Sequence, residues 1–279
     1  MVIPYFSAPM MHLTELQRLI DSVLPPRTAM AGDPIGVQVE SRRGTAQNVL
    51  VCFEVTDAVI AEAVQHQCDC IITFHPLIYA PLRAISRADR VGRLVCSLLE
   101  HDIALVSVHT TFDAHPRGTN AILAERFGLR PLRPLDPLPE MPTHGMGMIA
   151  EAPEGMMMDD LLDVVGRVCG GSPRYCPAPS SAVRTVAMVA GSGATFLDAA
   201  ISSGADVFVT ADVKYHAYHA ASGIIGLIDA GHFEMEQFVA DGIIDVLRPA
   251  IADRSKLIAS TALRNPVRYF TRKNEFSHS

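Results

Sequence analysis

Three short apolar runs in this chain end in residues of metal-ligand type. Ile71-Ile72-Thr73-Phe74 runs into His75-Pro76, and Leu105-Val106-Ser107-Val108 runs into His109, with Asp113 four residues on. Near the C-terminal end, Ile224, Ile225, Leu227 and Ile228 precede Asp229-Ala230-Gly231-His232-Phe233-Glu234-Met235-Glu236. Apolar runs of this length fit strands buried on both faces of a parallel sheet. In an open α/β sheet, ligands bind beyond the carboxyl ends of the strands, which is where all three histidines fall. A helix starting at His232 would put His232 and Glu236 on one face, where the pair can hold one cation. Three strand ends carrying His, Asp and Glu therefore predict a metal site. Taken singly, each has a plainer use: a histidine after a strand also caps a helix or fills a turn, Asp113 also reads as an N-cap, and Glu236 as a solvated helix residue.

The periodicity between these runs sets the fold class. Apolar positions Leu13, Leu16, Leu19, Ile20, Val23 and Leu24 repeat at helical spacing up to Pro25-Pro26. Strands are expected at 49–53, 71–74, 105–108, 147–149, 183–190 and 207–210, and helices at 58–66, 91–99, 158–169, 196–202 and 216–222. Strands alternating with helices predict an α/β fold. The proline-rich stretch 129–142 cannot continue a helix or sit in a central strand, so it reads as a connection.

The two halves also resemble each other. Ala63, Asp69 and Thr73 recur 137 residues later as Ala200, Asp206 and Thr210, with the apolar pairs Ile71/Phe208 and Ile72/Val209 between them. On that register His75 corresponds to Asp212, so the equivalent strand end carries a possible ligand in both copies. Either the chain is a divergent internal duplication, or two unrelated α/β units share helix, Asp, strand and turn. The duplication reading gives two similar α/β lobes with the metal site in the cleft between them. Its boundaries are 1–128 for the first lobe, 129–142 for the connection and 143–240 for the second lobe, with a C-terminal helix and tail over 241–279 closing on the first lobe. Residues 268–279, including His278, read as a mobile polar tail.

Composition removes several functional classes. At 279 residues, 49% hydrophobic and 19% charged, the chain is an ordinary globular protein. Its net charge of −7 comes without a basic cluster, so direct nucleic-acid binding is not expected. No apolar stretch reaches the ~20 residues of a membrane span, and no basic leader precedes an apolar one, so the expected location is the cytoplasm. The six cysteines lie mostly in or beside apolar runs; Cys68-Asp69-Cys70 lacks a second cysteine pair and reads as packing, with alternation placing both thiols on one face of a strand. Met156-Met157-Met158 likewise reads as packing at a helix start.

Taken together, the motifs resemble a family, the dinuclear-metal hexameric proteins also called NGG-one-interacting-factor-three-like, whose members carry the name GTP cyclohydrolase I type 2 homologue. The resemblance covers nearly the whole chain. It rests on Phe74-His75-Pro76 where the family has His-His-Pro, on His109-Thr110-Thr111-Phe112-Asp113 followed by Gly118 and Asn120, and on Gly231-His232-Phe233-Glu234-Met235-Glu236; Thr210 to His216 and Gly191-Ser192-Gly193 resemble its turns. The resemblance implies that His75 and Asp113 bind one metal, that His232 binds the other, and that Glu236 bridges them. Phe74 departs from the pattern: it replaces a ligand of the His232 metal, which puts the second site in doubt. The catalytic candidates are Glu236 and His109, the latter as supplementary ligand or proton carrier, with His216 more remote. Imidazole and carboxylate donors without thiolate suit zinc, iron, manganese or nickel, one or two per chain. A cation with open positions makes bound water more acidic, so metal-dependent hydrolysis of a small molecule is the expected activity, within a toroidal homo-hexamer. The family name points to opening of the purine ring of GTP, although no Walker-type loop is present. The alternative is a non-catalytic hexameric metal-binding scaffold.

Overall fold

The computed structural model describes residues 11–269 as a mixed α/β fold. The polar tail beyond position 269 lies outside the described residues. In chain order the elements are α1 (Leu13–Val23), β1 (Gly36–Val39), β2 (Asn48–Cys52), α2 (Asp57–Gln65), β3 (Cys70–Thr73), α3 (Arg90–His101), β4 (Ala104–Ser107), α4 (His109–Asp113) and α5 (Thr119–Arg126). There follow β5 (Arg130–Arg133), β6 (Asp136–Leu138), β7 (Met141–Met146), β8 (Met148–Glu151), α6 (Met158–Cys169), β9 (Arg174–Cys176), β10 (Thr185–Met188) and α7 (Leu197–Ser202). The last are β11 (Val207–Thr210), α8 (Tyr215–Ala221), β12 (Gly226–Asp229), α9 (His232–Glu236), α10 (Val239–Ile251) and β13 (Lys256–Ala259).

Two sheets organise the chain. The first has the order β1-β4-β3-β2-β13, with β2, β3, β4 and β13 parallel and β1 antiparallel at its edge. The second has the order β5-β8-β10-β11-β12-β9, in which β10, β11 and β12 are parallel. The central strands are mostly apolar and almost wholly buried because helices cover both faces. On the first sheet Cys70, Ile72 and Phe74 pack under α1 and α10, while Ile71 faces the opposite core with Val59, Leu94 and Leu98 of α2 and α3. Local chemistry fixes the helix starts: Thr56 accepts from Val59 N ahead of α2, and Asp89 from Gly92 N ahead of α3.

The sheets repeat each other in register. Val49 pairs with Cys70 between β2 and β3, and 137 residues later Val186 pairs with Val207 between β10 and β11. The Asp69 carboxylate accepts from the main-chain N–H groups of Gln47 and Asn48, and that of Asp206 from Arg184 and Thr185, at the same offset. Gln67 and Gly204, also equivalent, both take positive φ. Each aspartate thus closes the start of one strand against the turn before the next. This shared device explains why the two acids recur.

Two expectations need correction. The stretch 129–142 is not a bare connection: β5 pairs with β8 as the edge of the second sheet, and β6 and β7 form a separate two-stranded sheet. Its prolines are accommodated as edge positions allow, with register irregularities beside Pro131 and Pro137. Cys68 and Cys70 do not share a face. The strand begins only at Cys70, so Cys68 enters the α2/α3 core and Cys70 the α1/α10 core. Burial pushes the Cys68 thiol up to about 11 and raises Cys70 as well, which makes both inert packing groups.

Candidate metal centre

The carboxyl ends of β3, β4 and β12 converge on one cavity of about 560 Å³, lined by His75, His109, Asp113, His232 and Glu236 among others. His75 stands two residues beyond β3, and His109 opens α4 directly after β4. His232 and Glu236 lie on α9, as their spacing required. Gly231 precedes them at φ +85°, and a Cβ there would fall 2.4 Å from Glu234 Oε2, so only glycine allows the sharp entry into α9. Glu234 anchors the same short helix, accepting hydrogen bonds from Asn265 Nδ2 at 2.7 Å and Tyr269 Oη at 2.9 Å.

The ligand atoms come together closely. His75 Nε2 lies 3.4 Å from His232 Nε2 and 3.3 Å from Glu236 Oε2, and His232 Nε2 lies 3.1 Å from that oxygen. Donors ~2.0–2.2 Å from a tetrahedral cation stand roughly 3.3–3.6 Å apart, so the triangle has the size of a coordination face. Its chemistry agrees. His232 Nδ1 lies 2.7 Å from Asp212 Oδ2, a partner that holds a proton on Nδ1 and turns Nε2 toward the buried Glu236 carboxylate. Among the described residues, neither Glu236 Oε2 nor Asp113 Oδ1 meets a donor in hydrogen-bonding geometry, although both are buried. Converging acceptors without a proton between them are satisfied by a cation or by protonation of one imidazole.

The electrostatics show protonation where no cation is held. Burial opposes charge on His232, but Glu236 and Asp212 carry its imidazole up to about 10. Burial likewise opposes the Glu236 carboxylate, and His232 and His75 still hold it well below the usual range. Burial and then the Glu236 charge push Asp113 the other way, upward.

All four ligand candidates, His75, Asp113, His232 and Glu236, line this one cavity. His75 groups with His232 and Glu236, whereas Asp113 lies outside the set whose ligand atoms are all within 4.8 Å of one another, although it lines the same cavity. Asp212 orients His232 and does not join the donors. Asp113 caps no helix, since it closes α4 and α5 begins after Gly118. His216 is exposed on α8 and does not line the cavity. Phe74 is fully buried, its ring 6.2 Å from Phe53, 6.4 Å from Phe112 and 5.5 Å from His109. Asp33, which no motif marked, bonds to His109 Nδ1 at 2.8 Å.

The family model described as Duf34/NIF3 (NGG1p interacting factor 3) matches residues 11–266. The chain belongs to the Duf34/NIF3 family. Proteins named GTP cyclohydrolase 1 type 2 homolog are similar to it: one from Nostoc sp. is 31% identical over 208 residues, covering 72% of this chain and 77% of its own. Another from Clostridium perfringens is 26% identical over 261 residues, covering 93% of this chain and all of its own. Among solved structures, a Bacillus cereus protein related to NIF3 superposes with a TM-score of 0.87 at 22% identity, over 94% of this chain and 100% of that one. A Staphylococcus aureus protein does so at 0.86 and 25% identity, over 93% and 99%.

Two features of this Duf34/NIF3 chain hold its two sheets together at the site. Asn120 donates through Nδ2 to Asp113 O at 3.3 Å and accepts through Oδ1 from Ala190 N at 2.8 Å, tying α4 to the end of β10. The following turn is pressed against the donors: Gly191 takes φ +65°, and a Cβ there would fall 2.3 Å from Glu236 Oε1 and 3.3 Å from His232 Nε2. Gly191→Ala is therefore expected to displace Glu236 while the fold survives. Positive φ costs about 1–2 kcal/mol, and zinc affinity should fall about 10–100-fold in calorimetric titration. Unchanged affinity would mean that Glu236 is not a ligand.

Proposed function

We propose that the chain holds a divalent cation at His75, His232 and Glu236 and acts as a metal-dependent hydrolase on a small molecule bound in the adjoining cavity. The observation that carries this reading is the convergence of two imidazole nitrogens and a buried, donorless carboxylate oxygen at coordination spacing. Nitrogen and oxygen donors without thiolate suit zinc, iron, manganese or nickel. Such a cation supplies Lewis acidity toward a carbonyl or phosphoryl oxygen and a more acidic water. The protein's part is to orient His232 through Asp212, to keep the Gly191 turn against Glu236, and to bury the Glu236 carboxylate beside two partly exposed imidazoles. Asp113, buried beside them, is placed to join a second cation.

The relatives' name points to cyclic amidines such as the purine ring of GTP. The test is metal content per chain by mass spectrometry on untagged protein, followed by assays for formate release from GTP and for hydrolysis of phosphate esters and amides, with Glu236→Gln as control. Turnover that needs the metal and is lost in Glu236→Gln supports the reading. Metal-free protein, or metal retained in Glu236→Gln, sinks it.

A second reading is a hexameric metal-binding scaffold without turnover. Tyr79, at 72% exposure, and Ile85, at 55%, stand on the loop after β3, with Tyr79 at the cavity mouth, and such apolar side chains suit burial against further copies. Light scattering that gives six copies, together with no turnover of any class above, would favour it. No helix among the described residues is long and apolar enough to cross a membrane, and a cytoplasmic location is part of either reading.

A further inference from the structure

Asp33 belongs to none of the sequence motifs, yet its carboxylate is only 4% exposed and spends its hydrogen bonds on the first turn of α4. It sits in a turn in which Asp33 N donates to Met30 O at 3.1 Å and Ile35 N to Asp33 O at 2.9 Å. Oδ1 lies 2.8 Å from His109 Nδ1, while Oδ2 accepts from Thr110 N at 3.1 Å and from the Thr110 hydroxyl. Met30 N donates in turn to Thr110 Oγ1 at 3.0 Å, closing the turn onto the helix start. Burial opposes the charge on Asp33, but the bonds from His109 and Thr110 keep it ionised. An ionised carboxylate can only accept, so the proton between Asp33 and His109 belongs to Nδ1.

The other edge of the His109 ring bears Nε2, and the ring lines the cavity beside the metal donors. Its orientation is clamped edge-to-face by Phe74 at 5.5 Å and His75 at 5.4 Å. His109 is not among the donors that converge within 4.8 Å. Burial opposes charge on His109, while Asp33, Asp113 and Glu236 raise its pKa. In its neutral form an imidazole held in this tautomer, beside a cation site and outside its donor set, presents a lone pair to whatever occupies the cavity.

We propose that Asp33 is a positioning residue that fixes His109 with the proton on Nδ1, making Nε2 the proton acceptor for a molecule bound in the cavity. This rests on the hydrolytic reading above. In the hydrolytic step an oxygen lone pair of water forms the new bond to carbon or phosphorus, the O–H bonding pair stays on that oxygen, and the proton goes to Nε2. As the bond to the leaving group breaks with its electron pair, the same proton passes from Nε2 to that group. Asp33 stabilises the imidazolium between these events. Phe74 then acts as a wall for the base in place of an imidazole that would bind metal.

The decisive variant is Asp33→Asn. Thr110 N requires an acceptor at the Oδ2 position, so the amide oxygen must stay there and the NH₂ group falls opposite His109 Nδ1. That nitrogen must then accept, and the proton moves to Nε2. Long-range ¹H–¹⁵N correlation spectra of full-length protein labelled at histidine side chains, assigned with His109→Asn and recorded with zinc, read this directly. The expected result is Nδ1–H in the wild type, Nε2–H in Asp33→Asn, and zinc per chain unchanged in both variants. For any substrate turned over, kcat falls by ~10²–10⁴-fold with KM little changed. Nε2–H in the wild type, an unaltered tautomer in Asp33→Asn, or zinc lost from either variant overturns the proposal. Wild-type protein that binds no zinc defeats the metal reading alone, and the tautomer result still decides this one.

Discussion

Glu236→Gln is expected to abolish the stabilisation that zinc gives the wild-type protein. A ligand that binds only the folded state stabilises by about 2.7 kcal/mol at 100 times its dissociation constant, which is several degrees in Tm for a chain of this size. Glutamine keeps the volume of the glutamate, but its NH₂ group can face the two imidazole nitrogens that now meet Glu236 Oε2 at 3.3 and 3.1 Å. Two donor hydrogens then satisfy the lone pairs that a cation would need, so the site closes without a cavity or a buried charge. Calorimetric scans with and without zinc should show the wild type shifting and the variant not. A shift that survives would place the metal elsewhere. The wild-type titration carries a second signature. With His232 raised to about 10 in the metal-free protein, its imidazole is charged at pH 7 and must lose that proton to coordinate. Zinc binding at pH 7 should therefore release about one proton, seen in titrations across buffers of different ionisation enthalpy, and affinity should rise as pH rises below that value. No proton release would mean that His232 is not a ligand.

What the sequence disclosed follows from the range over which its signals act. His232 and Glu236 share a helix face, and His75 and His109 follow short apolar runs that can only be strands. These are local patterns, and the carboxyl ends of parallel strands bring them together without further information. The recurrence of Asp69 as Asp206 was legible for a similar reason: both acids close the same strand start, so a shared chemical need preserves the residue type. Other features depend on pairings between distant segments. Asp33 meets His109 across 76 residues from an ordinary-looking turn, and nothing in its neighbours distinguishes it from any surface aspartate. β13 pairs with β2 across more than 200 residues, and β1 and β9 are short edge strands whose composition resembles loops. The proline-rich stretch misled because proline excludes central strands but not edges. The resemblance supplied the candidate residues, and all of them line one cavity. In three dimensions His75 meets α9, where His232 and Glu236 lie.

Phe74→His is expected to raise bound zinc from one per chain toward two, at a cost in the stability of the metal-free protein. The native ring fills a closed aromatic cluster with Phe53 and Phe112 and continues the apolar face of β3 under α10. Exchanging it for a smaller polar imidazole removes packing and buries a group that needs a partner, which together should cost about 2–4 kcal/mol in urea unfolding without metal. The compensating gain comes from Asp113. Its Oδ1 is buried without a donor, and its carboxyl is pushed upward by burial and by Glu236, the environment of an acid that lacks a counter-charge. An imidazole at position 74 adds a neutral donor beside His75 and His109 at the wall of the cavity that Asp113 also lines, so a second cation could be held by the introduced imidazole, Asp113 and the free lone pairs of Glu236. Binding would return the stability lost. If the variant is destabilised but still holds one zinc, Asp113 is not a ligand in waiting and the aromatic cluster closes the second position for good. If the native chain already holds two, Asp113 must recruit a donor other than position 74. His109 would be the nearest imidazole, and zinc would then be lost on Asp33→Asn.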